Sequence, residues 1–140
     1  MGYIVVGLDG SEPARRALAW AAEEAELRGD SLVVVAAWEV PASALMATTD
    51  AQPIELDLGA DAEARAVEVL QSVETTPTVA VRKVAAEGHP TAVLMREAAG
   101  ADLLVLGASG HREITGLLLG SVALHAVTHA PCPVVVVRGG

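Results

Sequence analysis

Two hydrophobic periodicities alternate along this chain, and that alternation restricts its fold more than any single residue does. Residues 3–8, 31–38, 78–86, 102–106 and 133–138 are short runs rich in Val, Leu and Ile. Three of them are apolar almost without a break, as strands covered on both faces must be. Between the runs lie Ala- and Glu-rich segments with helical spacing. Residues 14–28 set Ala14, Ala17, Leu18, Ala21 and Ala25 on one stripe and Arg15, Arg16, Glu23 and Glu26 largely off it. Ser11 and Pro13 mark the start of that helix and Gly29 its stop. Residues 60–72 repeat the pattern with Val67 and Leu70, and residues 91–99 repeat it with Val93 and Leu94 ahead of Gly100. The last helix, 121–128, is entered from Gly120 and closed before Pro131. Strand–helix–strand repeated in this way predicts an α/β fold: an open parallel five-stranded sheet with right-handed crossovers and helices on both faces.

Composition narrows the function classes. The chain has 140 residues, the length of one domain, so residues 1–140 are expected to share one core. A chain of that length buries roughly 68% of its unfolded surface, and 52% hydrophobic residues exclude disorder. The apolar runs are far shorter than the ~20 residues a bilayer demands, so no membrane span is expected. Residues 1–6 lack a basic flank and a long apolar stretch, which gives no sign of a signal peptide. A single cysteine fits a reducing cytoplasm. Eighteen acidic against nine basic residues give a net charge of −9, which argues against a nucleic-acid partner. Any phosphate must then be held by local geometry against the global field. With no Phe, one Tyr and two Trp, the chain has no platform for base stacking. Residues 40–58 are too long for an ordinary connection, and we expect a surface loop past the end of the second strand. That is the end of the sheet where ligands bind.

The segment most able to carry chemistry runs from Gly107 to Ser121, from the end of the fourth strand to the start of the last helix. Gly107 and Gly110 let backbone approach an anion closely. Gly120 and Ser121 offer free helix-terminal amides and a hydroxyl where the helix dipole favours negative charge. Together these make a two-sided phosphate cradle; by spacing alone the glycines equally well turn the chain and Ser121 equally well caps a helix. A Gly-x4-Gly-Lys-Ser/Thr loop is absent, since the only lysine is Lys83, and Gly7-Leu8-Asp9-Gly10 lacks dinucleotide spacing.

The string Gly-x2-Gly-x9-Gly-Ser, fitted by Gly107, Gly110, Gly120 and Ser121, resembles the ATP-binding signature of the universal stress protein family. So do Ile4-Val5-Val6-Gly7-Leu8-Asp9-Gly10-Ser11, Gly88-His89-Pro90, the run from Ala101 to Gly107, and the ending from Ala130 to Arg138. The resemblance covers the whole chain in order. It implies a Rossmann-like sheet of strand order 3-2-1-4-5 and a homodimer joined through the fifth strand. It further implies that Gly107, Gly110, Gly120 and Ser121 meet the triphosphate and ribose, with Val122 in the same turn and Leu106 beside the first glycine. Asp9, following Leu8 at the end of strand one, matches a nucleotide-contacting aspartate, and Ala37 matches a residue touching adenine. Asp9 in Asp-Gly-Ser also suits a plain turn or cap.

Arg112, inside the glycine loop, is either a bidentate phosphate donor or an exposed loop arginine. His125 and His129 are four apart on a helix, as metal ligands often are, but no Glu and no third ligand accompanies them, so we read a helix surface. Cys132, between two prolines, reads as structural. Efficient phosphoryl transfer needs a metal-holding acid, a water-positioning group and a cation; only Asp9 and Arg112 are at hand. The function expected from the resemblance is therefore an ATP-binding regulator of the stress response, the ATP accompanied by Mg2+, with slow or no hydrolysis. A partner-binding dimer module with no nucleotide is the alternative, and an unknown regulatory protein partner is expected in either case.

Overall fold

The computed structural model describes residues 2–40, 58–74, 76–108 and 119–138. In chain order they form β1 (Tyr3–Gly7), α1 (Glu12–Arg28), β2 (Ser31–Trp38), α2 (Leu58–Gln71), β3 (Val81–Glu87), α3 (Pro90–Ala98), β4 (Leu103–Gly107), α4 (Ser121–His129) and β5 (Val134–Val137). Every strand pair is parallel, as the alternation requires, and the order is β3-β2-β1-β4-β5, as the resemblance implied.

Successive side chains of a strand face opposite sides of a sheet, and the aliphatic runs divide accordingly. Ile4, Val6, Leu32, Val34, Ala36, Leu103 and Val105 enter one core cluster, under α1 and α2. Val5, Val33, Val35, Leu104 and Leu106 enter the other, under α3 and α4. These are the strands read as apolar throughout, and each buried Val, Leu or Ile among them contributes roughly 1.5–3 kcal/mol. In a chain without Phe, close approach replaces bulk. Ala14, Ala17, Ala21 and Ala25 are buried along α1 and let its backbone lie low on the sheet. Val93, Leu94 and Ala98 of α3 and Ala126 of α4 do the same work on the second face.

The two sheet edges differ in character. β3 exposes Arg82, Lys83 and Glu87, charges that discourage pairing with another strand. β5 is four valines, all partly exposed, with no charge among them.

Several boundaries move for identifiable reasons. Helix α1 begins at Glu12, not at 14, because Ser11 caps it and Pro13 occupies the first turn, where a missing N–H costs nothing. The third strand begins at Val81, not at 78. Thr76 and Thr78 pair their hydroxyls at 3.2 Å in a turn, and pairing with β2 starts only where the Leu32 N–H donates to the Ala80 carbonyl at 2.8 Å. Of the stretch expected to be loop, Leu58 is already helical, and residues 41–57 lie outside the described residues.

Candidate functional site

From β1 the chain moves outward to β2 and β3, then returns to the other side of β1 for β4 and β5. The connections therefore diverge between β1 and β4, and a crevice opens beyond their carboxyl ends. Of the residues singled out in the sequence, Leu8 and Asp9 follow β1, Ala37 lies on β2, Leu106 and Gly107 end β4, and Gly120, Ser121 and Val122 stand at the start of α4.

On the β1 wall, Leu8 is buried and its N–H donates to the Val35 carbonyl at 2.8 Å. Asp9 is exposed, and Gly10 turns the chain with φ 84°, a value that suits glycine. Asp9 Oδ1 accepts from the Ser11 N–H at 2.9 Å and from the Ser11 hydroxyl. Ser11 is buried, and its Oγ in turn accepts from the Ala14 N–H at 3.4 Å, closing the first turn of α1. Asp9 thus performs the turn role with one oxygen, while Oδ2 has no partner among the described residues. Ser11 was read from the sequence only as a helix start. Its hold on Asp9 escaped that reading, although Asp-x-Ser is the spacing at which such a turn closes.

Leu8, Asp9 and Ala37 line one cleft of about 1090 Å³, together with Gly10, Trp38 and Glu39. It runs between α1 and α2 over β2. Ala37 is small and sits at the carboxyl end of β2, so the wall recedes there. Titratable side chains along the cleft are Asp9, Glu39, Glu68 and Glu74 against Arg15 and Arg65, an acidic excess. A polyanion is disfavoured in this part of the crevice; an uncharged ring with donor groups is not.

The β4 wall has the opposite character. Leu106 is buried in the second core cluster, and Val122 packs against the same cluster. Gly107 ends the strand where α1 comes down: a Cβ there would lie 2.6 Å from the Pro13 carbonyl carbon and 2.7 Å from its oxygen. This glycine is accordingly required by packing. Beyond it, the Ala108 N–H donates to the Val137 carbonyl at 3.0 Å, and the Ala108 carbonyl accepts from the Gly120 N–H at 2.6 Å. The start of α4 is thereby tied to the end of β4. Gly120 is the N-cap, with φ −60° and ψ 160° and no side-chain cap, and the first helical bond runs from Leu124 N–H to its carbonyl at 2.9 Å. The amides of Ser121, Val122 and Ala123 precede that bond and have no partner among the described residues. Ser121 is exposed beside them. Gly110 and Arg112 lie outside the described residues.

The remaining candidates fall away from the crevice. Cys132 is partly buried, and burial, with Asp102 adding to it, pushes its thiol above the ordinary range, so it is no activated nucleophile. Glu24 of the acidic helix face pairs with Arg28 at 2.8 Å. Among the described residues no group of three His, Cys, Asp or Glu side chains converges as a metal site, and no helix is long and apolar enough to cross a membrane.

Comparison with known proteins agrees with this architecture. The profile of the universal stress protein family matches residues 1–138. A universal stress protein of Mycobacterium tuberculosis is 37% identical over 143 residues, an alignment covering 96% of this chain and 45% of that protein. The chain thus spans about half the length of that relative. Among solved structures, the universal stress protein UspA from Lactobacillus plantarum superposes with a TM-score of 0.80 at 26% identity, over 98% of this chain and 97% of that one. A universal stress protein in complex with cAMP superposes with a TM-score of 0.62 at 27% identity, over 98% and 96%. With the strand order, the diverging connections and the tied glycine segment all in place, a profile match from residue 1 to residue 138 makes this chain a member of the universal stress protein family.

Proposed function

We propose that this protein binds ATP, accompanied by Mg2+, in the crevice between β1 and β4 and acts as a nucleotide-dependent regulator of the stress response. The observation that carries the reading is the Gly120–Ala108 bond. It sets the first-turn amides of α4, which have no partner among the described residues, against the end of β4, where backbone N–H groups and the helix dipole favour phosphate. The acidic cleft on the β1 side suits the base and sugar, with Leu8, Asp9 and Ala37 at its mouth and Asp9 Oδ2 free to accept from a hydroxyl or amino group. A universal stress protein of similar fold solved in complex with cAMP supports a nucleotide ligand. By resemblance, Gly110 and Arg112 complete the phosphate side.

Binding without efficient turnover is the chemistry these residues support. Asp9 already spends one oxygen on Ser11, and with Arg112 it is all the sequence offers for the metal-holding, water-positioning and cationic roles, so hydrolysis is slow or absent. We further propose one domain over residues 1–140, a cytoplasmic location, and a homodimer through β5, the edge without charges. An unidentified protein partner reads the nucleotide state.

The test is direct. Purified protein is denatured and the supernatant chromatographed for released adenine nucleotide. Thermal melts with ATP and magnesium at a hundredfold excess over Kd should add ~2.7 kcal/mol of stability. Gly120→Val places a branched side chain at the mouth of the amide cluster at a φ that valine accepts, so the ATP shift should vanish while the apo melt hardly moves. An unaltered ATP shift in that variant rejects the assignment. Absence of any nucleotide effect in the unmodified protein leaves the partner-binding module instead.

A further inference from the structure

The cleft between α1 and α2 follows β2 from Trp38 at its carboxyl end to Leu32 at its amino end, roughly 20 Å at ~3.3 Å per residue. Its volume, about 1090 Å³, is at the upper end of the range (roughly 300–1,000 Å³) of cavities that enclose a whole small molecule. The residues assigned to base and sugar, Leu8, Asp9 and Ala37, all lie at the carboxyl end. The inner stretch is apolar: Leu18 and Ala22 on one side, Val69 and Val73 on the other, Leu32 and Val81 below. Charges along the lining are unevenly matched. Arg15 donates to Glu12 Oε2 at 3.4 Å and to the Gly10 carbonyl at 3.3 Å. Arg65 and Glu68 stand three positions apart on α2 and offset each other. Lys83 reaches the Val73 carbonyl at 3.3 Å, beside Glu74. Asp9 and Glu39 are left over, both exposed at the carboxyl end, where half-buried Trp38 lines the same cleft.

We propose that this cleft binds a lipophilic amine, an apolar chain ending in one ammonium group. The tail lies along β2 in the inner stretch, and the ammonium is held by Asp9 Oδ2 and Glu39 beside Trp38. Carboxylates pair with such a charge through charge-assisted hydrogen bonds, and an indole adds a cation–π contact. The apolar stretch contributes by taking the tail out of water. An anionic head of the same length meets Asp9 and Glu39 as like charges and is refused. The amine and the nucleoside of the proposed function share Asp9, so each displaces the other, while the inner stretch belongs to the amine alone.

The test is calorimetric titration of the nucleotide-free full chain at pH 7 with decylamine, decanol and decanoate, three probes with one tail and different heads. Tryptophan fluorescence is followed in parallel. Saturable binding of one decylamine per chain with a change in tryptophan emission is expected. Decanol should bind at least about tenfold more weakly, the equivalent of one lost charge-assisted hydrogen bond, and decanoate more weakly still. Asp9→Asn keeps the oxygen that accepts from Ser11 and removes the charge, so it and Glu39→Gln should each bring decylamine towards the affinity of decanol. Ala22→Phe, at a partly buried wall position, and Ala19→Phe, at an exposed one, fill the tail stretch and should weaken all three probes. The inference is overturned by absence of saturable decylamine binding, by decanol or decanoate binding as tightly as decylamine, or by unchanged binding in both phenylalanine variants. Because no nucleotide is present, each of these results leaves the ATP reading standing, and a protein that ignores ATP can still bind the amine.

Discussion

Gly107 belongs to the glycine signature, yet its surroundings demand glycine before any ligand is considered. A Cβ built on it lies 2.6 Å from the Pro13 carbonyl carbon, 2.7 Å from the Pro13 oxygen and 2.9 Å from the Pro13 Cβ. Carbon contacts are comfortable near ~3.5–4.0 Å, so Gly107→Ala requires the first turn of α1 or the end of β4 to retreat by about 1 Å. Neither has slack. The α1 terminus is held by buried Ser11, and Gly107 stands in register with Val137 of β5. Its φ is not in the left-handed region, so the penalty is steric alone. Overpacking of this kind costs typically 1–3 kcal/mol. At roughly 4 °C per kcal/mol for a chain of this length, the apo protein should melt about 4–12 °C lower. Urea titration at unchanged m-value, alongside calorimetry, measures it. An apo melt within a degree of the unmodified protein would refute the packing account and return Gly107 to the ligand alone.

Ser11→Ala removes a cap from α1 and the hydroxyl donor from Asp9 Oδ1, while the backbone N–H donor remains; unfolding by urea should show a loss of about 1 kcal/mol, and a stability equal to the parent contradicts the capping role. Val136 packs against neither core cluster, unlike Val134, Val135 and Val137, so Val136→Lys should convert a β5-edge dimer to a monomer in sedimentation without lowering the melt. A dimer that persists places the interface elsewhere. The raised pKa of Cys132 means less thiolate near neutral pH than an ordinary cysteine offers; iodoacetamide should therefore react more slowly with the folded than with the urea-unfolded protein at pH 7, the gap narrowing as pH rises. Equal rates at pH 7 would contradict the burial.

Much of the architecture is legible in one dimension because local pattern and global fold agree. Strands β1, β2 and β4 lie in the middle of the sheet, so both of their faces are apolar and the runs declare themselves. The edge strand β3 is half charged, and its start was misplaced at 78 because Thr78 has good strand propensity but sits in a turn that Thr76 closes. Helix starts followed from cap chemistry, yet Ser11 reaches one residue type further than capping explains: it binds a side chain, Asp9, two positions back.

The order of aliphatic runs and helical stripes by itself determined a parallel sheet covered on both sides, because no other layering buries strands that are apolar on two faces. What only tertiary structure decided is what each glycine is for. Gly107 is held by Pro13, ninety-odd positions earlier in the chain, and Gly120 is fastened by its own N–H to Ala108. Spacing reports that small residues recur; it contains no information about which distant backbone arrives beside them, and that arrival separates a packing requirement from an open set of amides.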